Sequence, residues 1–68
     1  MLFYHFAICS NGNLVEELGD VPLPDDRDAF AFAKQVIREC LADSDTKIYE
    51  GCTMDITESK REVGGVPL

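Results

Sequence analysis

The chain has 68 residues, 46% of them hydrophobic, and its 13 acidic and six basic residues give a net charge of −7. This length predicts a single domain over residues 1–68, and the apolar content excludes a disordered tail. The acidic excess argues against nucleic-acid binding, which relies on clustered Lys and Arg, and against anionic membrane surfaces. A core this small supplies about 3–5 kcal/mol, so a partner subunit would help to stabilise it.

Three cysteines, Cys9, Cys40 and Cys52, cannot all pair within one chain, and none belongs to a Cys-x-x-Cys motif. We therefore expect reduced thiols and a cytoplasmic location. No apolar run approaches the roughly 18 residues of a membrane helix. The apolar stretch at residues 2–9 is too short for a signal peptide and follows no positive region.

The first predicted element is a strand at about residues 2–9, which is rich in aromatic and β-branched side chains. Asn11-Gly12 follows, and this pair favours a tight hairpin turn because both residues tolerate positive φ. The returning strand, at about 13–18, is shorter and more polar, as is typical of a sheet edge. Residues 19–24 are then expected to form a loop that leads to a helix.

A helix over about 25–42 is the most strongly supported element. At 100° per residue its apolar side chains fall on one arc, and its charged side chains fall on the opposite face. Asp25 is placed as an N-cap, because its carboxylate can accept from the unpaired N–H groups of the first turn. The apolar arc contains Ala29, Ala33, Val36, Ile37 and Cys40, with Phe30 and Leu41 at its margins.

Two further strands are predicted at about 48–57 and 62–67, separated by a polar turn. Gly64-Gly65 and Pro67 weaken the last strand, which we expect to be an edge or to fray. The order of elements is strand, strand, helix, strand, strand. It predicts an α+β fold, ββαββ, in which one antiparallel-rich four-stranded sheet carries a single helix on one face and the first strand is central.

Three short motifs lie along the chain. They are Tyr4-x-Phe6 near the start, the Asn11-Gly12 turn, and Leu23-Pro24-Asp25 before an Ala-rich helix. In these the chain resembles a family of short, uncharacterised proteins of rhizobia and related alphaproteobacteria. The family has no established activity, so the resemblance implies a fold and a bacterial source rather than a reaction. The chain departs from it at Gly64-Gly65, where the family usually has aliphatic residues. The matching positions are Tyr4, Phe6, Ile8, Gly12, Glu17, Gly19, Leu23-Pro24-Asp25, Ala29, Ala33, Met54, Ile56 and Val66.

The residue pattern predicts no catalytic residue, no cofactor and no metal site. His5, the only histidine, shares a strand face with Cys9 but lies about 13 Å from it, too far for one zinc ion. Buried cysteine behaves as a small hydrophobe, and this accounts for Cys40 on the apolar helix face. A Cys–His–acid set built on Cys9 or Cys52 is the alternative. A deep pocket that held His5 with a thiol or carboxylate would favour a small enzyme.

The first strand predicts a protein interface. Tyr4, Phe6 and Ile8 should face the helix, as the family pattern implies, and their neighbours should then line the open face of the sheet. A solvated face alternates with polar residues, whereas an exposed apolar row marks an interface. The alternative is a row covered by long neighbouring side chains. The predicted interface residues are Phe3, His5, Ala7 and Cys9.

The outer face of the helix carries a stripe of three basic residues, Arg27, Lys34 and Arg38, in an otherwise acidic chain. This stripe could meet an acidic partner. The alternative is an ordinary solvated helix face with local ion pairs.

These patterns favour a non-enzymatic interaction module that forms a homodimer through the open sheet face, since a symmetric contact lets one patch meet itself. The alternative is a regulator that binds another protein. The order of strand, hairpin, strand, Pro-Asp and helix loosely resembles small antitoxin domains, which mask a toxin, and a basic partner would suit the charge of −7. A small enzyme is the third hypothesis.

Overall fold

The computed structural model describes residues 1–43 and 49–68. The elements in these residues are β1 (Leu2–Ser10), β2 (Asn13–Leu23), α1 (Asp26–Asp43), β3 (Cys52–Glu58) and β4 (Arg61–Pro67). The four described strands form one antiparallel sheet in the order β2-β1-β3-β4, so β1 and β3 are central and β2 and β4 are edges. This confirms the predicted ββαββ fold with the first strand central.

The prediction of a loop over residues 19–24 was wrong, because β2 continues to Leu23. The strand remains paired with β1 through two register shifts, each of which inserts one extra residue. Gly19, with φ of 93°, supplies a backbone conformation that most side chains disfavour, next to the first of these shifts. Each register shift breaks the alternation of apolar and polar residues from which a strand is predicted, so the sequence pattern did not indicate the second half of β2.

The predicted third strand began too early. Tyr49, Glu50 and Gly51 form turns, and β3 starts at Cys52. The beginning of the predicted strand, at residue 48, lies outside the described residues.

The helix packs on one face of the sheet, as predicted. Tyr4, Phe6 and Ile8 are fully buried beneath it, and so are Ala29 and Ala33 on the helix. The small alanines let the helix backbone approach the aromatic side chains of β1. Phe32, which the sequence did not place in the apolar arc, packs against Phe6 with ring centroids 4.9 Å apart. The remaining buried core residues are Ile37, Tyr49, Cys52, Met54 and Ile56.

Asp25 caps the helix as predicted. The backbone N–H of Asp28 donates to its carboxylate at 2.9 Å, and that of Ala29 donates to its carbonyl at 3.1 Å. These contacts satisfy N–H groups that have no partner within the helix.

The last strand forms through to Pro67 and is an edge strand. Gly64 lies directly under Phe30 of the helix, and a β-carbon at position 64 would stand 2.7 Å from Phe30 Cζ. Gly64, which the sequence pattern predicted to weaken the strand, therefore makes room for an aromatic ring. No helix in the described part of the chain has both the length and the apolar character needed to cross a membrane.

Candidate interaction face

The side of the sheet opposite α1 is called the open face here, and among the described residues no second layer covers it. Strand pairing defines its members. Because side chains alternate along each strand, residues paired with the outward positions of β1 also point outward. They are Phe3, His5, Ala7 and Cys9 of β1, Leu14, Glu17, Asp20 and Pro22 of β2, Thr53, Asp55 and Thr57 of β3, and Glu62, Gly65 and Pro67 of β4.

The four predicted interface residues all lie on the open face but differ in exposure. Phe3 is 63% exposed, whereas Ala7 is only 9% exposed, and His5 and Cys9 are intermediate. Neighbouring side chains therefore cover Ala7, in the middle of the row. For this residue the alternative prediction, a row covered by its neighbours, is confirmed. The open apolar surface lies at the two ends of the face, at Phe3 and at Leu14, which is 60% exposed.

His5 is held between two carboxylates of the adjacent edge strand. Its Nε2 lies 2.9 Å from Glu17 Oε1, and its Nδ1 lies 2.9 Å from Asp20 Oδ1. A carboxylate can only accept, so both contacts are hydrogen bonds at once only when both ring nitrogens carry protons. The imidazolium then bridges the two acids, and the group of three carries a net charge of −1.

A register shift in β2 creates this arrangement. Residues 17 and 20 of a regular strand point to opposite faces. Here the pairing skips Leu18, so that Glu17 is opposite Ala7 while Asp20 is opposite His5, and both acids point to the open face. The sequence gives no local signal for this pair, because the bulge depends on the partner strand.

Cys9 lies in an environment that favours its neutral thiol. A hydrogen bond to the Asp55 carboxylate, together with burial, raises the pKa of its thiol. A reactive cysteine has a lowered pKa, since the thiolate is the nucleophile. Both nitrogens of His5 are engaged by Glu17 and Asp20, so the structure does not bring the predicted alternative of a Cys–His pair together.

A shallow hollow of about 380 Å³ lies at the Phe3 end of the open face. It is open to solvent and combines an aromatic ring, a carboxylate and two hydroxyl groups. These groups can hold a polar ligand by hydrogen bonding and stacking. Its lining residues are Phe3, His5, Asp20, Thr57 and Ser59.

The charges of the open face are mostly acidic. Glu17, Asp20, Asp55 and Glu62 point outward, and His5 is the one basic side chain that strand pairing places there. No group of three or more metal-ligating side chains occurs in the described residues. Glu17 and Asp20 contact opposite sides of the His5 ring, so the three do not converge on a common point.

The predicted basic stripe lies on the outer face of α1, where Arg27, Lys34 and Arg38 are all exposed. Lys34 and Arg38 line a shallow depression of the helix surface together with Gln35 and Glu39. A carboxylate within this group reduces its positive character. The stripe lies on the side of the molecule away from the open face.

In comparisons with protein-family models, curated proteins and solved structures, no match to this chain was found. The family resemblance drawn from the sequence motifs stays a prediction.

Proposed function

We propose that this chain is a non-enzymatic interaction module that contacts a partner protein through its open face. The exposure of Phe3 carries this proposal. Phe3 is a large aromatic side chain, 63% exposed, on a sheet face that no second layer of the described residues covers, and this is a common feature of a binding surface. Aromatic residues are enriched at such contacts because they bury much area at low entropic cost.

The charge of the open face favours a basic partner over a second copy of the chain. A two-fold contact through this face would bring the carboxylates of one copy against those of the other, and like charges at an interface are unfavourable. A basic surface would instead meet complementary charge. In this proposal the protein is an acidic regulator of the bacterial cytoplasm that covers a basic protein, as an antitoxin does.

The homodimer is the second candidate function. It is supported by the apolar side chains at both ends of the face, Phe3 and Leu14, which could meet their symmetry mates. The small core, which would gain from an added subunit, supports it as well.

Light scattering behind size exclusion separates the two candidates. We expect a mass near 7.6 kDa at all concentrations, in reductant and at physiological salt. A mass of twice that value that Phe3→Glu abolishes would establish the homodimer instead. Val15→Glu is the matched control, because Val15 is also an exposed apolar residue but lies in a register shift outside the paired open-face positions.

Binding to a basic partner is tested by titrating the ¹⁵N-labelled protein with a hexalysine peptide. The amide signals of open-face residues should shift, and those of the outer helix face should not. Shifts confined to the helix, or no shifts at low ionic strength, would contradict the proposal.

A further inference from the structure

We infer that the hollow at the Phe3 end of the open face receives an arginine side chain of the partner. The inference rests on the proposed function and names the residue type that the face recognises. Phe3 and Asp20 line the same hollow, so a cation that enters it has an aromatic ring and a carboxylate within reach together. Exposed cations are attracted to both.

The chemistry of the hollow suits a guanidinium more than an ammonium group. A guanidinium is planar, stacks on aromatic rings and carries five N–H donors. His5 contacts Oδ1 of Asp20, so the second carboxylate oxygen is placed to accept from another donor. The hydroxyl groups of Thr57 and Ser59 add two further acceptors at the rim.

His5 does not cancel the attraction. Two carboxylates, Glu17 and Asp20, face a single imidazole, so the three groups together are negative whether or not the ring carries a second proton. The contact with His5 also holds the Asp20 carboxylate at the edge of the hollow. His5 is in this sense a positioning residue.

The position of Ser59 gives the hollow a defined rim. Ser59 lies in the turn between β3 and β4 and has φ of 55°, a conformation that few residues other than glycine adopt. Ser59 thereby lines the hollow together with Thr57 of β3 and Asp20 of β2. Groups from β1, β2, β3 and the turn thus line one hollow.

The test compares hexa-arginine with hexalysine as probes in NMR titrations of the ¹⁵N-labelled chain. In the wild type we expect hexa-arginine to bind about two- to fivefold more tightly, the range of an exposed cation–π contact. The largest shifts should fall at Phe3, Asp20 and Thr57. Phe3→Leu, which retains an apolar side chain but removes the ring, should abolish the preference for arginine.

Asp20→Asn is the second variant and should weaken binding of both peptides by up to about fivefold, the range of an exposed ion pair. Glu62→Gln is its matched control, since it removes the same charge from the same face outside the hollow. We expect it to have the smaller effect. NMR spectra of the variants without peptide establish that the fold is retained. Thr57→Val removes one hydroxyl group from the lining of the hollow, so its effect on peptide binding is an independent test of the site.

The outcomes separate the inference from the proposed function. Equal binding of the two peptides, with equal effects of Asp20→Asn and Glu62→Gln, would overturn the arginine site but leave the acidic face as a binding surface. Absence of any shift on the open face with either peptide would overturn both. A concentration-dependent dimer that buries Phe3 would also exclude the site.

Discussion

The hydroxyl of Tyr4 donates a hydrogen bond of 2.7 Å to Asp26 Oδ1 and so joins the central strand to the first turn of the helix. Arg61 donates to both oxygens of the same carboxylate, at 3.0 and 2.8 Å, and its Nε donates to Glu58 at 3.1 Å. One carboxylate therefore links β1, α1 and β4. Burial and the bond to Asp26 raise the pKa of Tyr4 to about 12.

Removing the hydroxyl in Tyr4→Phe should lower Tm. The ring still fills its fully buried position, so the change isolates one hydrogen bond to a charged acceptor. The Asp26 side chain is 46% exposed, so water offsets part of the lost bond and we expect a loss of about 1 kcal/mol, below the range for fully desolvated charged acceptors. In a domain of this size this corresponds to a decrease of about 4–8 °C. Thermal unfolding followed by circular dichroism measures it. In the Asp26→Asn background the same change should have a smaller effect, and equal effects in both backgrounds would show that the bond is not the cause.

Asp26 should make the protein sensitive to acid. Hydrogen bonds from Arg61, and then from Tyr4, lower the pKa of Asp26 from 3.8 to about 2. The carboxyl binds protons more readily in the unfolded chain, so its contribution to stability is complete above about pH 4 and is lost as the pH falls towards 2. Urea unfolding between pH 5 and about 2 should show a flatter dependence for Asp26→Asn than for the wild type.

Asp28→Asn is the control for this pH dependence. It removes a carboxylate from the same first turn of the helix, where the structure shows the Asp28 backbone N–H, rather than its side chain, contacting Asp25. Its profile should resemble that of the wild type. If the free energy of unfolding depends equally weakly on pH in Asp26→Asn and Asp28→Asn, the acid sensitivity comes from general charge repulsion rather than from the contacts of Asp26.

Gly64 and Phe30 should show strong energetic coupling. In Gly64→Ala the new methyl group would stand 2.7 Å from Phe30 Cζ, so the ring must move. We expect a loss of about 1–3 kcal/mol in the free energy of unfolding, the usual range for an overpacked site. Phe30→Leu shortens the side chain, so in that background Gly64→Ala should lose the part of its cost that comes from the ring and keep the part that comes from the φ of 158° at position 64. A double-mutant cycle by urea unfolding measures the coupling, and additive effects would contradict the close contact.

The Cys9 thiol should react faster when Asp55 is neutralised. The carboxylate raises the pKa of the thiol, which reduces the fraction of reactive thiolate at neutral pH. Asp55→Asn should therefore increase the rate of alkylation of Cys9 by iodoacetamide, measured by mass spectrometry in a Cys40→Ser background. In denaturant, Cys9 should be alkylated at the same rate in the Cys40→Ser protein with and without Asp55→Asn. A rate difference that persists in denaturant would show that the contact between Cys9 and Asp55 in the folded protein is not its cause.

The sequence predicted which β1 residues lie on the open face, but not their surroundings. Alternation separated the two faces of β1, and the family resemblance, which put Tyr4, Phe6 and Ile8 towards the helix, left Phe3, His5, Ala7 and Cys9 on the face opposite the helix, where they lie. Neither could reveal that Ala7 is covered or that His5 lies between two acids. Both facts depend on neighbouring strands, and one of these acids, Asp20, belongs to a segment predicted to be a loop.

The sequence by itself determined the order of the elements, the N-cap at Asp25 and the division of the β1 side chains between two faces. These features are local, since side-chain period and capping chemistry act between residues close in the chain. Only the tertiary structure decided the length of β2, the register shift that brings Glu17 and Asp20 to one face, and the fit of Gly64 under Phe30. These depend on contacts between distant segments, whose geometry no local pattern specifies.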